Sequence, residues 1–198
     1  MNQTLELNSN QPNFIGDYYL ENMTVVDQLL DYFQSSKKLP GVVINKSGIP
    51  IIEPSVKKSL NVNFEPASKE QVFINYQIEL QKCILKYIDQ FKFANWGSAW
   101  TIRELTTIQG YEPNDTYFEW HCERLNASMP MAARHLVFMT YLNTVEDAGE
   151  TEFYYQKIKI KPLKGRTLIW PADWTHTHRG VPSPTENKII ITGWLNYC

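Results

Sequence analysis

His121 and Glu123 stand two residues apart in Tyr117-Phe118-Glu119-Trp120-His121-Cys122-Glu123. On a β-strand, residues i and i+2 point to one face, so an imidazole and a carboxylate can converge on one point. A second imidazole is available far downstream in Thr177-His178-Arg179-Gly180. Two nitrogens and one oxygen on one side of a metal make a facial triad. That donor set suits non-haem Fe(II) and leaves positions open for a co-substrate and O2. His176 competes with His178 for the second place, because the two share a strand face. A lone His-x-Glu is common by chance, so the surrounding elements must supply the specificity.

The chain that must position these groups has 198 residues, enough for one domain with a buried core. Residues 1–95 read as a helical support region and residues 96–198 as a β-barrel core. A hydrophobic share of 43% with 13% aromatics suits a β-rich sandwich or barrel. A formal charge of −2 gives no electrostatic case for nucleic acid or an anionic membrane. Cys83, Cys122 and Cys198 are odd in number and lack motif spacing, which argues for reduced thiols and a cytoplasmic setting. Met1 to Asn13 has neither a basic start nor an apolar run, so no signal peptide is expected, and no stretch is long enough to span a membrane.

Residues 1–22 read as a polar, irregular lead-in. Val25, Val26, Leu29, Leu30 and Phe33 recur at helical spacing and predict a helix over 23–36, capped by Asn22 or Thr24. Lys37 to Pro54 reads as turns with one short strand, Val42-Val43-Ile44, and residues 55–63 carry no clear signal. Val72, Tyr76, Leu80, Ile84 and Ile88 predict a second helix over 68–91, broad enough in its apolar stripe to lie across a sheet. After Trp96-Gly97 the period changes. Strands are expected within 100–110, 116–122, 134–142, 151–155, 157–161, 167–170 and 188–195, separated by Gly, Pro, Asn and Asp. The fold class is mainly β with supporting helices: a double-stranded barrel or jelly roll, cupin-like, backed by the N-terminal helices.

Tyr111 to Trp194 contains several further motifs in order. Tyr111 precedes His121, Met139-Thr140-Tyr141-Leu142-Asn143 contains Tyr-Leu-Asn, and Gly149-Glu150-Thr151-Glu152-Phe153 contains Gly-Glu-Thr-x-Phe. Pro162-Leu163-Lys164-Gly165 follows, then His178-Arg179-Gly180-Val181-Pro182, Lys188 and Thr192-Gly193-Trp194. This block resembles the 2-oxoglutarate- and Fe(II)-dependent dioxygenases, closest to the prolyl 4-hydroxylase-like branch. The resemblance favours His178 over His176, because the His-x-Gly-x-Pro pattern starts there.

The resemblance implies a hydroxylase that couples oxidation of 2-oxoglutarate, giving succinate and CO2, to hydroxylation of an unactivated C–H bond. A peptidyl or free amino acid, proline first, is the implied substrate, with Fe(II), 2-oxoglutarate, O2 and ascorbate as reductant. His121, Glu123 and His178 would hold the metal. Lys188 would be the cation for the remote carboxylate of 2-oxoglutarate, Tyr111 and Tyr141 would supply hydroxyl donors, and Trp194 would form an apolar wall. Glu123 departs from the aspartate of most relatives, adding one methylene and a torsion. The carboxylate is absent from the halogenase branch, so its presence argues against halogenation.

Two other readings compete: a cupin-like barrel that binds a metal or ligand without turnover, and an oxygenase of the same superfamily acting on small molecules. A nucleic-acid demethylase ranks below both on charge. Arg124 and Arg134 read as solvent or interface charges, Arg179 as a substrate contact at the pocket rim, Cys122 as a small core residue, and residues 41–63 and 124–133 as candidate lid segments.

Overall fold

The computed structural model describes residues 12–45 and 48–198. In chain order the elements are β1 (Gly16–Tyr19), α1 (Met23–Ser35), β2 (Leu39–Pro40), β3 (Val43–Ile44), β4 (Pro50–Ile51), β5 (Leu60–Phe64), α2 (Gln71–Gln90), β6 (Trp100–Ile102), β7 (Thr106–Tyr111), β8 (Arg134–Tyr141), β9 (Thr151–Phe153), β10 (Ile158–Ile160), β11 (Arg166–Pro171), β12 (His178–Gly180) and β13 (Lys188–Tyr197). The large sheet runs β1-β11-β8-β13-β7-β5-β2, with β6 pairing the end of β13. A small sheet, β10-β9-β12, lies apart from it, and β3-β4 form a separate hairpin. All pairings are antiparallel. The architecture is the helix-backed double-stranded β-helix that the alternating segments imply.

Strand parity sorts the large sheet into two faces. On β8, Leu136 and Phe138 pack with the helices, whereas Val137, Met139 and Tyr141 join a second cluster toward the small sheet. On β13, Ile191 and Leu195 take the helix side, while Ile190 and Trp194 take the other. The helices answer with Val26, Leu29 and Phe33 from α1 and Phe73, Tyr76 and Leu80 from α2, all in one core. Truncating one of these buried leucines to alanine would cost about 2–5 kcal/mol. The Tyr76 hydroxyl bonds Thr140 Oγ1, and Thr140 bonds Thr167 Oγ1, pinning α2 to β8 and β11.

Asn22 is the α1 cap, its Oδ1 accepting from Thr24 N. The first half of the chain also contributes strands that its local pattern does not announce. β1 pairs with β11, although residues 12–22 read as lead-in; residues 1–11 of that lead-in lie outside the described residues. β5 overlaps the unassigned 55–63 stretch and pairs with β7 throughout its length. Both are short and draw their identity from the neighbour that receives them. Residues 116–122, expected as a strand, form only two isolated bridges, Lys57 to Tyr117 and His121 to His178.

Candidate metal centre and its cavity

The bridge between His121 and His178 is the local event that assembles the site. His121 N donates to His178 O at 3.0 Å and His178 N to His121 O at 2.9 Å, which sets the two side chains beside each other. Their rings lie 4.3 Å apart between centroids. Glu123 Oε1 stands 3.6 Å from His121 Nε2 and 3.5 Å from His178 Nε2. The three ligand atoms lie within 4.8 Å of one another. The i, i+2 logic therefore holds through the bridge rather than through a continuous strand.

Each imidazole has its other nitrogen occupied. His121 Nδ1 lies 2.9 Å from Glu119 O, and His178 Nδ1 lies 2.9 Å from His176 O. A carbonyl can only accept, so Nδ1 carries the proton and Nε2 keeps its lone pair toward Glu123. Burial first, and the neighbouring His178 second, lower the His121 pKa, which favours the neutral, ligating form. Burial alone would raise the Glu123 pKa, but the two facing imidazoles outweigh it and hold the carboxyl well below its usual range.

Glu123 Oε2 is tied down separately. Trp194 Nε1 donates to it at 2.9 Å, and Arg134 Nη1 lies 3.7 Å away. Arg134 also donates to Glu123 O at 2.8 Å and to both carboxylate oxygens of Glu104, at 2.8 and 2.6 Å. Its guanidinium lies 3.6 Å from the Trp194 ring centroid. Arg134 is thus no solvent charge; it is buried and clamps Glu123. Trp194 is more than an apolar wall, because its N–H is the donor that orients Glu123. Local sequence offers no hint of the Arg134 role, since the partner groups come from residues 104, 123 and 194.

The cavity in front of the triad measures about 160 Å³ and lies between the two sheets. Lys188 opens into it from β13, buried, with Tyr111 directly across the register on β7. Its Nζ lies 5.3 Å from the Tyr111 ring centroid and donates to Gly149 O at 3.0 Å. Burial pulls the Lys188 pKa down to about 8. Thr116 Oγ1 is fully buried and has no hydrogen-bond partner among the described residues. A Cβ on Gly180 would meet Thr116 Oγ1 at 2.0 Å and Lys188 Nζ at 3.4 Å, so glycine keeps these two groups next to each other. A buried ammonium and an orphaned hydroxyl side by side form a receptor for an anion.

The expected tyrosines divide. Tyr111 lines the cavity, its hydroxyl donating to Gln109 Oε1 at 2.6 Å. Tyr141 is not among the residues lining the cavity. Its hydroxyl donates at 2.6 Å to Thr151 Oγ1, and Thr151 is a wall residue. His176 lies away from the triad, with Nε2 2.9 Å from Asn13 O and Nδ1 3.0 Å from Thr175 Oγ1. Arg179 reaches the rim, paired with Glu152 at 3.0 Å and 4.4 Å from the Trp120 ring centroid. Arg124 pairs with Asp173. Cys122 lines the cavity as well as being buried, and both candidate lid segments contribute wall residues, Val42 to Ile44 from one and Leu125 and Met131 from the other. Lys57 and Thr116 are among the wall residues that sequence reasoning missed.

Residues 106–196 match the family model of the 2OG-Fe(II) oxygenase superfamily. Over that span, somewhat under half of the chain, it is similar to the oxygenase domains of this superfamily. A prolyl-4-hydroxylase from Pseudomonas putida superposes with a TM-score of 0.68 at 14% identity, over 93% of this chain and 92% of that one. A prolyl hydroxylase from Trichoplax adhaerens, in complex with a hypoxia inducible factor oxygen degradation domain peptide fragment, gives 0.71 at 18% identity, over 93% and 84%. The viral collagen prolyl hydroxylase of Paramecium bursaria Chlorella virus-1, in its 2OG complex, gives 0.65 at 19% identity, over 93% and 97%. At these identities the structural likeness speaks for the fold. No curated protein sequence matches the chain. The family implies Fe(II), 2-oxoglutarate and O2, and the His-Glu-His donor set with free Nε2 atoms fits the metal. No helix among the described residues is long and apolar enough to cross a membrane.

Proposed function

We propose that the chain is a 2-oxoglutarate-dependent Fe(II) hydroxylase of prolyl hydroxylase type, acting on an unactivated C–H bond of a peptidyl or free amino acid. The observation that carries this reading is the pairing of a metal-ready triad with a separate buried anion receptor in one cavity. His121, Glu123 and His178 hold Fe(II) through Nε2, Oε1 and Nε2. Lys188 takes the remote carboxylate of 2-oxoglutarate, with Thr116 Oγ1 as hydroxyl donor and Tyr111 as the flanking ring. Tyr141 acts one step back, orienting Thr151 through the hydroxyl chain. Bound Fe(II) supplies O2 activation, coupling conversion of 2-oxoglutarate to succinate and CO2 with insertion of an oxygen atom into the substrate.

The protein's own contribution is orientation and exclusion of water. Trp194 and Arg134 hold Glu123 in one rotamer, the two carbonyl-bound imidazoles hold theirs, and the apolar walls of Met131, Met139 and Ile190 keep the cavity dry. The test is anaerobic addition of Fe(II) and then 2-oxoglutarate, reading the weak visible charge-transfer band of the chelate, followed by succinate release on admission of air. The band is expected in the wild type and in His176→Ala, lost in His178→Ala and weakened in Lys188→Ala. Absence of the band in the wild type at millimolar 2-oxoglutarate would overturn the proposal in favour of a barrel without turnover.

A further inference from the structure

Lys188 is not the only buried cation in the cavity. Lys57, on the loop before β5, is 6% exposed and forms part of the cavity wall. Its backbone is zipped to the segment that leads into the triad: Phe118 N donates to Val56 O at 2.8 Å and Lys58 N to Thr116 O at 3.0 Å. The stem passes beneath residue 41, where a Cβ would sit 3.4 Å from Lys57 Cε. The ammonium lies 5.8 Å from the centroid of the Tyr117 ring, and that ring stacks on His121 at 3.6 Å. Lys57, Tyr117 and His121 are therefore layered, which brings the charge close to the reacting centre. Among the described residues no carboxylate forms an ion pair with Lys57 Nζ and no oxygen accepts a hydrogen bond from it.

A buried, unpaired ammonium is expensive, and proteins keep one where a ligand will neutralise it. The other cations of the wall are committed: Arg134 to Glu104, and Arg179 to Glu152. On the reading proposed above, the metal dication, the Glu123 carboxylate, the doubly charged co-substrate and Lys188 cancel. Lys57 then leaves one uncompensated positive charge beside the triad. One carboxylate placed against Lys57 neutralises it, whereas a phosphate ester, with about two charges, overshoots. The lysine tip is a point charge rather than a guanidinium fork, which suits a single carboxylate oxygen.

We infer that Lys57 is a specificity-determining residue that binds a carboxylate of the substrate, so that the molecule hydroxylated carries a carboxylate near the reacting carbon. Two sources supply that chemistry: the α-carboxylate of a free amino acid, or the side chain of an acidic residue beside the target residue in a peptide. The inference rests on the co-substrate assignment of the preceding section, and the experiment separates the two.

Protein loaded with Fe(II) and 2-oxoglutarate under anaerobic conditions is titrated in a calorimeter with two matched probe pairs. One pair is L-proline and L-prolinamide; the other is acetyl-Gly-Pro-Glu-amide and acetyl-Gly-Pro-Gln-amide. The carboxylate member of one pair is expected to bind at least tenfold more tightly than its neutral partner, and which pair shows the preference identifies the source. Lys57→Gln should abolish the preference and Lys57→Arg should retain it, both variants keeping the visible band of the Fe(II)·2-oxoglutarate complex as proof of an intact site. A preference that survives Lys57→Gln, or no preference in either pair whether or not the probes bind, overturns the inference. Loss of the band in Lys57→Gln also overturns it, because Lys57 would then serve the co-substrate. Absence of the band in the wild type, by contrast, sinks the co-substrate assignment itself.

Discussion

The indole N–H of Trp194 donates to Oε2 of Glu123 at 2.9 Å, which leaves Oε1 facing both imidazoles. The longer side chain of glutamate has one more torsion to fix than aspartate would, and this hydrogen bond fixes it. Trp194→Phe keeps an aromatic ring near Arg134 and removes the donor. Fe(II) affinity is expected to fall about 10–100-fold, the usual effect of deleting a group that orients a ligand, as read by metal titration of succinate release. An unchanged affinity would show that Arg134 alone suffices.

Glu123→Asp tests the same relationship from the other side. Aspartate is the commoner residue in the resembling family, yet here its carboxylate would retreat by roughly one bond length from Trp194 Nε1 and from both Nε2 atoms. The variant is expected to bind Fe(II) at least tenfold more weakly than the wild type in anaerobic titrations. Equal or tighter binding would mean that the backbone bridge, not the side-chain length, sets the triad.

Gly180→Ala should act on the anion receptor without touching a ligand. The added methyl meets Thr116 Oγ1 at 2.0 Å, so Thr116 must move and crowd Lys188. The apparent affinity for 2-oxoglutarate is expected to drop about tenfold or more, a cost of about 1.4 kcal/mol. Adding Thr116→Ala removes the clash and should recover part of the loss. A double variant no better than the single would locate the damage in the β12 backbone instead.

Lys188 gives a pH dependence with a defined sign. Burial lowers its pKa from 10.5 to about 8 in the folded protein. On the proposed reading the remote carboxylate needs the charged form, so 2-oxoglutarate affinity should be full below pH 8 and decline above it. Lys188→Met should lose most of that affinity. The same burial makes the charge unfavourable to the unliganded fold. Between pH 8 and 10.5 the unfolded chain binds more protons than the native one, so unliganded stability rises with pH in that window. At neutral pH, Lys188→Met should therefore stabilise the ligand-free protein by roughly 1–3 kcal/mol. Denaturant melts at pH 7 without ligand provide the check, and a destabilised variant would count against the buried-charge account.

Much of the site is legible in the chain because its parity is local. Lys188 and Trp194 are an even number of residues apart on β13, so a strand there must put both on one face, and Ile189, Ile191 and Leu195 on the other. Both long helices likewise announce themselves through apolar stripes, and the observed α1 and α2 fall within one to three residues of the expected bounds. β1 and β5 were not legible, because short segments take strand form from the neighbours that pair with them and carry little pattern of their own.

The candidate donor set and the helix-backed barrel follow from residue types, spacing and order along the chain, and the preference for His178 over His176 from the motif resemblance. What only the tertiary structure decided is the company these residues keep. Arg134 reads as a surface charge until Glu104, Glu123 and Trp194 close around it from three separate segments. Tyr141 reads as a direct hydroxyl donor until β9 places Thr151 in front of it. Lys57 lies in the 55–63 stretch that carries no clear signal until its loop pairs with Tyr117 and draws its ammonium into the cavity. Periodicity reports which face a side chain takes, a property of a few neighbouring residues. Burial of a charge depends on which distant segments pack over it, and that information resides in long-range pairing.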